Sequence, residues 1–208
     1  MIPTFIYWLD IVGVAVFAAT GALAASRKQM DLVGFALLAT LTGIGGGTVR
    51  DLVLDRTVFW VADQTYLAIC LTVATVSFFA AHLIQRRYPL LLWLDAIGLA
   101  AYGVLGAHVA FEAGAGVIVG AVLGVITATF GGLMRDVVSQ ETPLILKQEL
   151  YATAAACSAL TYLAALLLDS SPTVGASLAI IAGFGLRAAA IRHGLSLPRY
   201  RPREGRPY

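Results

Sequence analysis

Apolar residues run along this chain in long stretches broken only by short polar punctuation. The breaks fall at Ser26-Arg27-Lys28-Gln29, Asp55-Arg56, Gln85-Arg86-Arg87, Glu112, Gln140-Glu141-Thr142-Pro143 and Asp169-Ser170-Ser171-Pro172. Between them the pattern predicts seven spans, at about 4–25, 31–54, 64–85, 89–110, 114–139, 148–168 and 173–191. The stretches reach the roughly 20 residues that cross a hydrocarbon core of about 30 Å. They do not alternate apolar with polar, so they read as helices and not as barrel strands. The expectation is an all-α polytopic membrane domain over 1–191, followed by a tail over 192–208.

The pattern also repeats. Gly46-Gly47-Thr48-Val49-Arg50-Asp51 returns 85 residues later as Gly131-Gly132-Leu133-Met134-Arg135-Asp136. Counting 9–57 against 94–142 gives 16 identities in 49 positions. Leu9-Asp10 matches Leu94-Asp95, Gly13 matches Gly98, Gly21-Ala22 matches Gly106-Ala107, and Thr42 matches Thr127. The unit holds three helices (repeat 1 about 4–85, repeat 2 about 89–168), so the second copy enters the membrane from the opposite face. That makes a 3+3 inverted repeat with a seventh helix added at about 173–191.

Composition agrees: the 208 residues are 59% hydrophobic and 12% charged, with mean hydropathy +0.84. Soluble domains carry about 25% charge. Cys70 and Cys157 lie inside apolar runs and read as packing residues, not a disulfide or metal pair. The N-terminus lacks a basic n-region, so the first run reads as a retained helix. Charge placement sets orientation. One set of loops carries Arg27, Lys28, Arg86, Arg87, Lys147 and the tail arginines Arg192, Arg199, Arg201, Arg203 and Arg206; the other carries Arg56 with Asp55, Asp63, Glu112 and Asp169. Basic loops stay inside, which predicts an N-terminus outside and a C-terminus in the cytoplasm of a prokaryotic inner membrane. The tail reads as an extended, partly disordered basic segment suited to anionic headgroups.

Two features carry candidate chemistry. Gly43, Gly45, Gly46 and Gly47 lie late in the second helix, and Gly131 and Gly132 at the matching place in the fifth. Each costs about 1 kcal/mol relative to Ala in a helix interior. They predict either breaks, freeing carbonyls near Thr42 and Thr127 to meet a cation, or close helix packing. The second feature is charge at membrane depth. Asp10 with Arg50 and Asp51, and Asp95 with Arg135 and Asp136, form two expected Asp–Arg–Asp clusters, one at each mouth of a shared cavity. Each charge near the bilayer centre costs at least about 2.5–3.5 kcal/mol unless paired or hydrated. The clusters read as gating groups or as ion pairs that fix helix register.

Weaker signals read as structure. His108 has Leu23 as its repeat mate and reads as a packed histidine. Gly116, Gly120 and Gly124 form a packing stripe. Trp8, Trp60 and Trp93 read as interfacial anchors. No His-Glu-x-x-His, Gly-x-Ser-x-Gly, Walker loop or Cys-x-x-Cys is present, which argues against an enzyme, a resident metal or a cofactor. Nothing points to nucleic acid or to a soluble protein partner.

The doubled Gly-Gly-x-x-Arg-Asp motif resembles the prokaryotic branch of the trimeric intracellular cation (TRIC) channels, over essentially residues 5–190. The resemblance implies a homotrimer with one pore per protomer, conducting monovalent cations, chiefly K+, with Na+ as a second permeant ion. It implies a pore lined by the first, second, fourth and fifth helices, bent at Gly45, Gly46 and Gly47 and at Gly131 and Gly132. Thr42, Asp51, Thr127 and Asp136 then lie on the ion pathway, while Asp10, Arg50, Asp95 and Arg135 gate it or pair within it. Phe130 replaces the first copy's Gly45, so the second bend differs. The Lys-Glu-Val signature of the animal branch is absent. Some members are described as carriers of glycine, and that alternative stands beside the channel.

Overall fold

The structure is a computed structural model and describes residues 4–84, 86–147 and 149–198. Arg199, Arg201, Arg203 and Arg206, expected in the basic tail, lie outside the described residues. Among the described residues eight α-helices follow in order: α1 Thr4–Arg27, α2 Leu32–Val53, α3 Phe59–Ala62, α4 Thr65–Ala80, α5 Arg87–Glu112, α6 Gly116–Val138, α7 Ala152–Leu167 and α8 Pro172–His193. One-turn 3-10 segments occupy Ala81–Leu83 and Leu144–Leu146.

Local chemistry sets several of the ends. Asp31 accepts from the Gly34 amide at 2.8 Å and starts α2. Ser171 caps α8, with Pro172 in its first turn, and Gly194 ends that helix at φ 64°. Gln29, Asp55, Gln140 and Asp169 take left-handed conformations just past α1, α2, α6 and α7. Asp55 and Gln140 are repeat mates, so the chain reverses in the same way after both motif helices.

Among the described residues six helices are long and apolar enough to cross a membrane. They include α4 extended by its 3-10 turn to Leu83, and they match six of the expected spans. The span expected at 148–168 is shorter: α7 has 16 residues, Ala152–Leu167. At 1.5 Å per residue that is about 24 Å. Just before it Glu149 forms an isolated antiparallel bridge with Ser196 and the chain bends at Leu150 and Tyr151, so the helix starts late.

α5 is the central element, packed against α1, α6, α7 and α8, and α2 lies against α1, α4 and α6. Val14, Phe17, Leu38, Leu99, Tyr102 and Leu105 form the interior. The expected breaks at Gly45, Gly46 and Gly47 and at Gly131 and Gly132 do not occur: α2 and α6 stay α-helical through both motifs. The glycines serve close approach instead.

Candidate functional site

α2 and α6 cross with their backbones in contact. A Cβ added to Gly46 would collide with the Thr127 carbonyl, and one added to Gly131 would collide with the Thr42 carbonyl. Gly45 faces the Cα of Gly131 and the Met134 sulfur. Small residues allow such contact, and dispersion over the joined surfaces offsets their cost in helix propensity. Thr42 and Thr127 are buried, and each hydroxyl donates at 2.6 Å to its own helix, at the Leu38 and Leu123 carbonyls. Gly21 and Gly106 bring α1 and α5 down onto these same turns. Thr42, Gly45, Gly46, Thr127 and Gly131 therefore meet at one tightly packed crossing, while Gly47 faces the Phe59 ring and Gly132 the Tyr151 hydroxyl.

One turn beyond the crossing, each copy of the motif builds the same ion pair. Arg50 Nε lies 2.8 Å from Asp51 Oδ1, and Arg135 Nε lies 2.8 Å from Asp136 Oδ1. The second oxygen of each aspartate accepts a main-chain amide eight residues on, at 2.9 Å in both cases: Phe59 N to Asp51 and Leu144 N to Asp136. A buried carboxylate thus ties an arginine to the start of the next short helical segment. The hydrogen bonds on both oxygens make the buried pair tolerable.

The repeat fails at the third carboxylate. Asp95 Oδ1 lies 2.7 Å from Arg135 Nη1, which also donates to Thr20 Oγ1 at 3.0 Å. Asp10 makes no ion pair with Arg50 among the described residues; its Oδ2 accepts from Tyr66 at 3.1 Å. The expected Asp10–Arg50–Asp51 cluster is therefore an Arg50–Asp51 pair with Asp10 beside it. Thr20 has Leu105 as its mate, so the first site lacks the hydroxyl that helps hold Arg135. Arg50 instead lies over the Phe59 ring, 5.6 Å from its centroid.

Further residues escaped the sequence reading. Tyr66 and Tyr151 are 85 apart, and each stands next to its copy's first-helix aspartate. The Tyr151 hydroxyl and Asp95 Oδ1 both border the space left by Gly132, at 2.8 and 3.3 Å from where its Cβ would sit. Arg187 is fully buried, lies 5.2 Å over the Tyr151 ring and pairs with Glu149 at 2.7 Å. Extending the 85-residue comparison past position 57 would have found the tyrosines. Nothing in the sequence pointed to Arg187, which lies outside the repeat.

The weaker expectations divide. His108 is packed, with Nδ1 2.7 Å from the Tyr162 hydroxyl. Trp8 is exposed, Trp60 donates to Thr48, and Trp93 lies under Arg192. Cys70 and Cys157 are free thiols. Gly120 and Gly124 face α5 and α7, but Gly116 has open space around it at φ 78° and starts α6. Asp63, between α3 and α4, accepts from Thr65, which holds its carboxyl below the usual range.

Known proteins similar to this chain are membrane proteins, described as a transporter family by one match and as cation channels by others. The family model described as "Glycine transporter" matches residues 7–82 and 92–166, one block per repeat. The UPF0126 inner membrane protein YadS of Escherichia coli is 41% identical over 199 residues, covering 94% of this chain and 96% of that protein. A UPF0126 membrane protein of Vibrio cholerae is 36% identical, covering 95% and 83%. The structure of the TRIC trimeric intracellular cation channel orthologue from Rhodobacter sphaeroides superposes with a TM-score of 0.91 at 47% identity, covering 93% of this chain and all of that one. A second TRIC cation channel structure, solved to explain conductance, gives 0.86 at 31% identity, covering 98% and 100%. These matches are to membrane proteins, and the chain is a multi-pass membrane protein, not an enzyme.

Proposed function

We propose, from the premise that this chain belongs to the prokaryotic TRIC family, whose sequence model is described as a glycine transporter, that it is a cation channel conducting K+. The observation that carries the reading is the doubled site. An identical buried Arg–Asp pair, each tied to the next helical segment, stands beyond a shared α2–α6 crossing. Two such sites related by an inverted repeat give a path with similar machinery at both mouths.

In this reading seven helices cross the inner membrane, with the N-terminus outside and the C-terminus inside. Three copies assemble, each with its own pore between α1, α2, α5 and α6. Because α2 and α6 touch at Gly46 and Gly131, cations pass only when the crossing opens. The aspartates raise the local cation concentration, while their pairing keeps the arginines from repelling it. K+ and Na+ are permeant ions, with no resident cofactor.

The family description favours one rival, a carrier of glycine working by alternating access about the same crossing. Planar-bilayer recording on purified protein separates the two. Step-like K+ currents support the channel; saturable glycine uptake without current steps overturns it in favour of the carrier.

A further inference from the structure

At the basic end of the molecule a cavity of about 500 Å³ opens among Arg27, His82, Ile84, Arg87 and Tyr88. It lies where α1 ends, where the 3-10 turn after α4 ends and where α5 begins. These are the ends of three apolar spans. We propose that this cavity binds a phosphate group, and that its natural source is the headgroup of an anionic phospholipid.

Three observations point there. The first is unbalanced charge. Arg27 pairs with Glu141 at 2.9 Å, and Lys28 reaches the same carboxylate at 3.8 Å. Lys147 donates to the Tyr88 hydroxyl at 2.8 Å and pairs with no described carboxylate. Arg87 has none either. Arg27, Lys28, Arg87 and Lys147 thus share one acid in these contacts, which leaves three positive charges to be met from outside.

The second is preorganisation. Arg87 Nε donates to the Ala81 and Ile84 carbonyls at 3.1 and 3.3 Å, and Nη1 donates to the Ser26 carbonyl at 3.2 Å. Main-chain oxygens fix the guanidinium without neutralising it, and its Nη2 edge has no protein partner among the described residues. Arg27 is braced similarly, 4.6 Å over the Tyr88 ring. A planar guanidinium held in place suits phosphate, whose oxygens accept charge-assisted bonds.

The third is position. The cavity opens at the level where apolar spans give way to polar chain, beside Leu83, which is 72% exposed. A free anion needs only the charge; a lipid also needs an apolar flank for its acyl chains, and Leu83 and Ile84 supply one. Basic groups just inside a span are drawn to anionic leaflets. The site is separate from the α2–α6 crossing, and the proposal does not depend on what the protein transports.

Purified protein in phosphatidylcholine nanodiscs tests this. Dioctanoyl phosphatidylglycerol, dioctanoyl phosphatidylcholine and inorganic phosphate are titrated in turn, with thermal stability as the readout. Phosphatidylglycerol is expected to raise the melting temperature and phosphatidylcholine to leave it unchanged. Arg87→Gln and Arg27→Gln should each weaken the phosphatidylglycerol response by about tenfold or more in midpoint concentration, the loss of one charge-assisted contact. Arg56→Gln, at the opposite end, should not. If Arg87→Gln fails to fold, Arg27→Gln and His82→Ala carry the comparison. Equal responses to the two lipids, or an undiminished phosphatidylglycerol response in the folded variants, overturns the site. Stabilisation by inorganic phosphate as strong as by phosphatidylglycerol overturns the lipid assignment.

Discussion

Replacing Gly46 by alanine tests whether the motif glycines serve contact or bending. The added methyl would sit 2.9 Å from the Thr127 carbonyl carbon and 3.3 Å from its Cα, with the oxygen nearer still. Carbon contacts are comfortable at about 3.5–4.0 Å, so α2 and α6 must part by about 1 Å. The opposing atoms are backbone and cannot rotate away. Overpacking of this kind costs up to about 3 kcal/mol, and alanine returns about 1 kcal/mol in helix propensity. The net loss is about 2 kcal/mol, or a fall of about 4–8 °C in melting temperature at constant protein and detergent concentration. Gly185→Ala is the control, because nothing lies within 4 Å of its added Cβ. It should be neutral or slightly stabilising. Gly131→Ala should behave like Gly46→Ala, and the double variant should lose less than the sum, since both open one crossing. Thermal unfolding of the four proteins decides the matter. A Gly46→Ala protein as stable as Gly185→Ala would refute close contact and restore the flexible-break reading.

Asp51→Asn should be worse than Asp136→Asn in the same melts. Arg50 loses the one carboxylate it pairs with among the described residues, at about 3–5 kcal/mol, whereas Arg135 keeps Asp95 and loses about 1–2 kcal/mol; the reverse order would show that the asymmetry between the two sites is not energetic. Tyr66→Phe should cost about 1 kcal/mol through its bond to Asp10, and Tyr151→Phe less, because its hydroxyl makes no hydrogen bond among the described residues. Single cysteines at positions 28 and 205, in a background without Cys70 and Cys157, should label from the same, cytoplasmic face; labelling from opposite faces would overturn the seven-span topology. Mass measurement in mild detergent should give three chains, and a stable monomer would contradict the trimer.

What the sequence determined was whatever depends on local composition or on identity at a fixed offset. Span positions follow from the length of each apolar run, because lipid requires about 20 such residues whatever they pack against. The two Arg–Asp pairs were legible because the members are adjacent and the motif occurs twice. The late start of α7 was not, since nothing local reveals that Glu149 bridges to Ser196, far along the chain, before the helix begins. Tertiary structure alone decided how the glycines act and which third group each arginine meets. A glycine in a sequence is equally a hinge or a contact; only the presence of the Thr127 carbonyl against Gly46 makes it a contact. Likewise Asp10 and Asp95 each follow Trp-Leu and stand three residues before a glycine, yet one bonds Tyr66 and the other Arg135. Arg135 is also held by Thr20, 115 residues away in the chain and 3.0 Å from it in space, whereas the mate of Thr20 is Leu105, which has no hydroxyl to offer Arg50. Such pairings depend on three-dimensional packing between helices, and no periodicity along the chain encodes them.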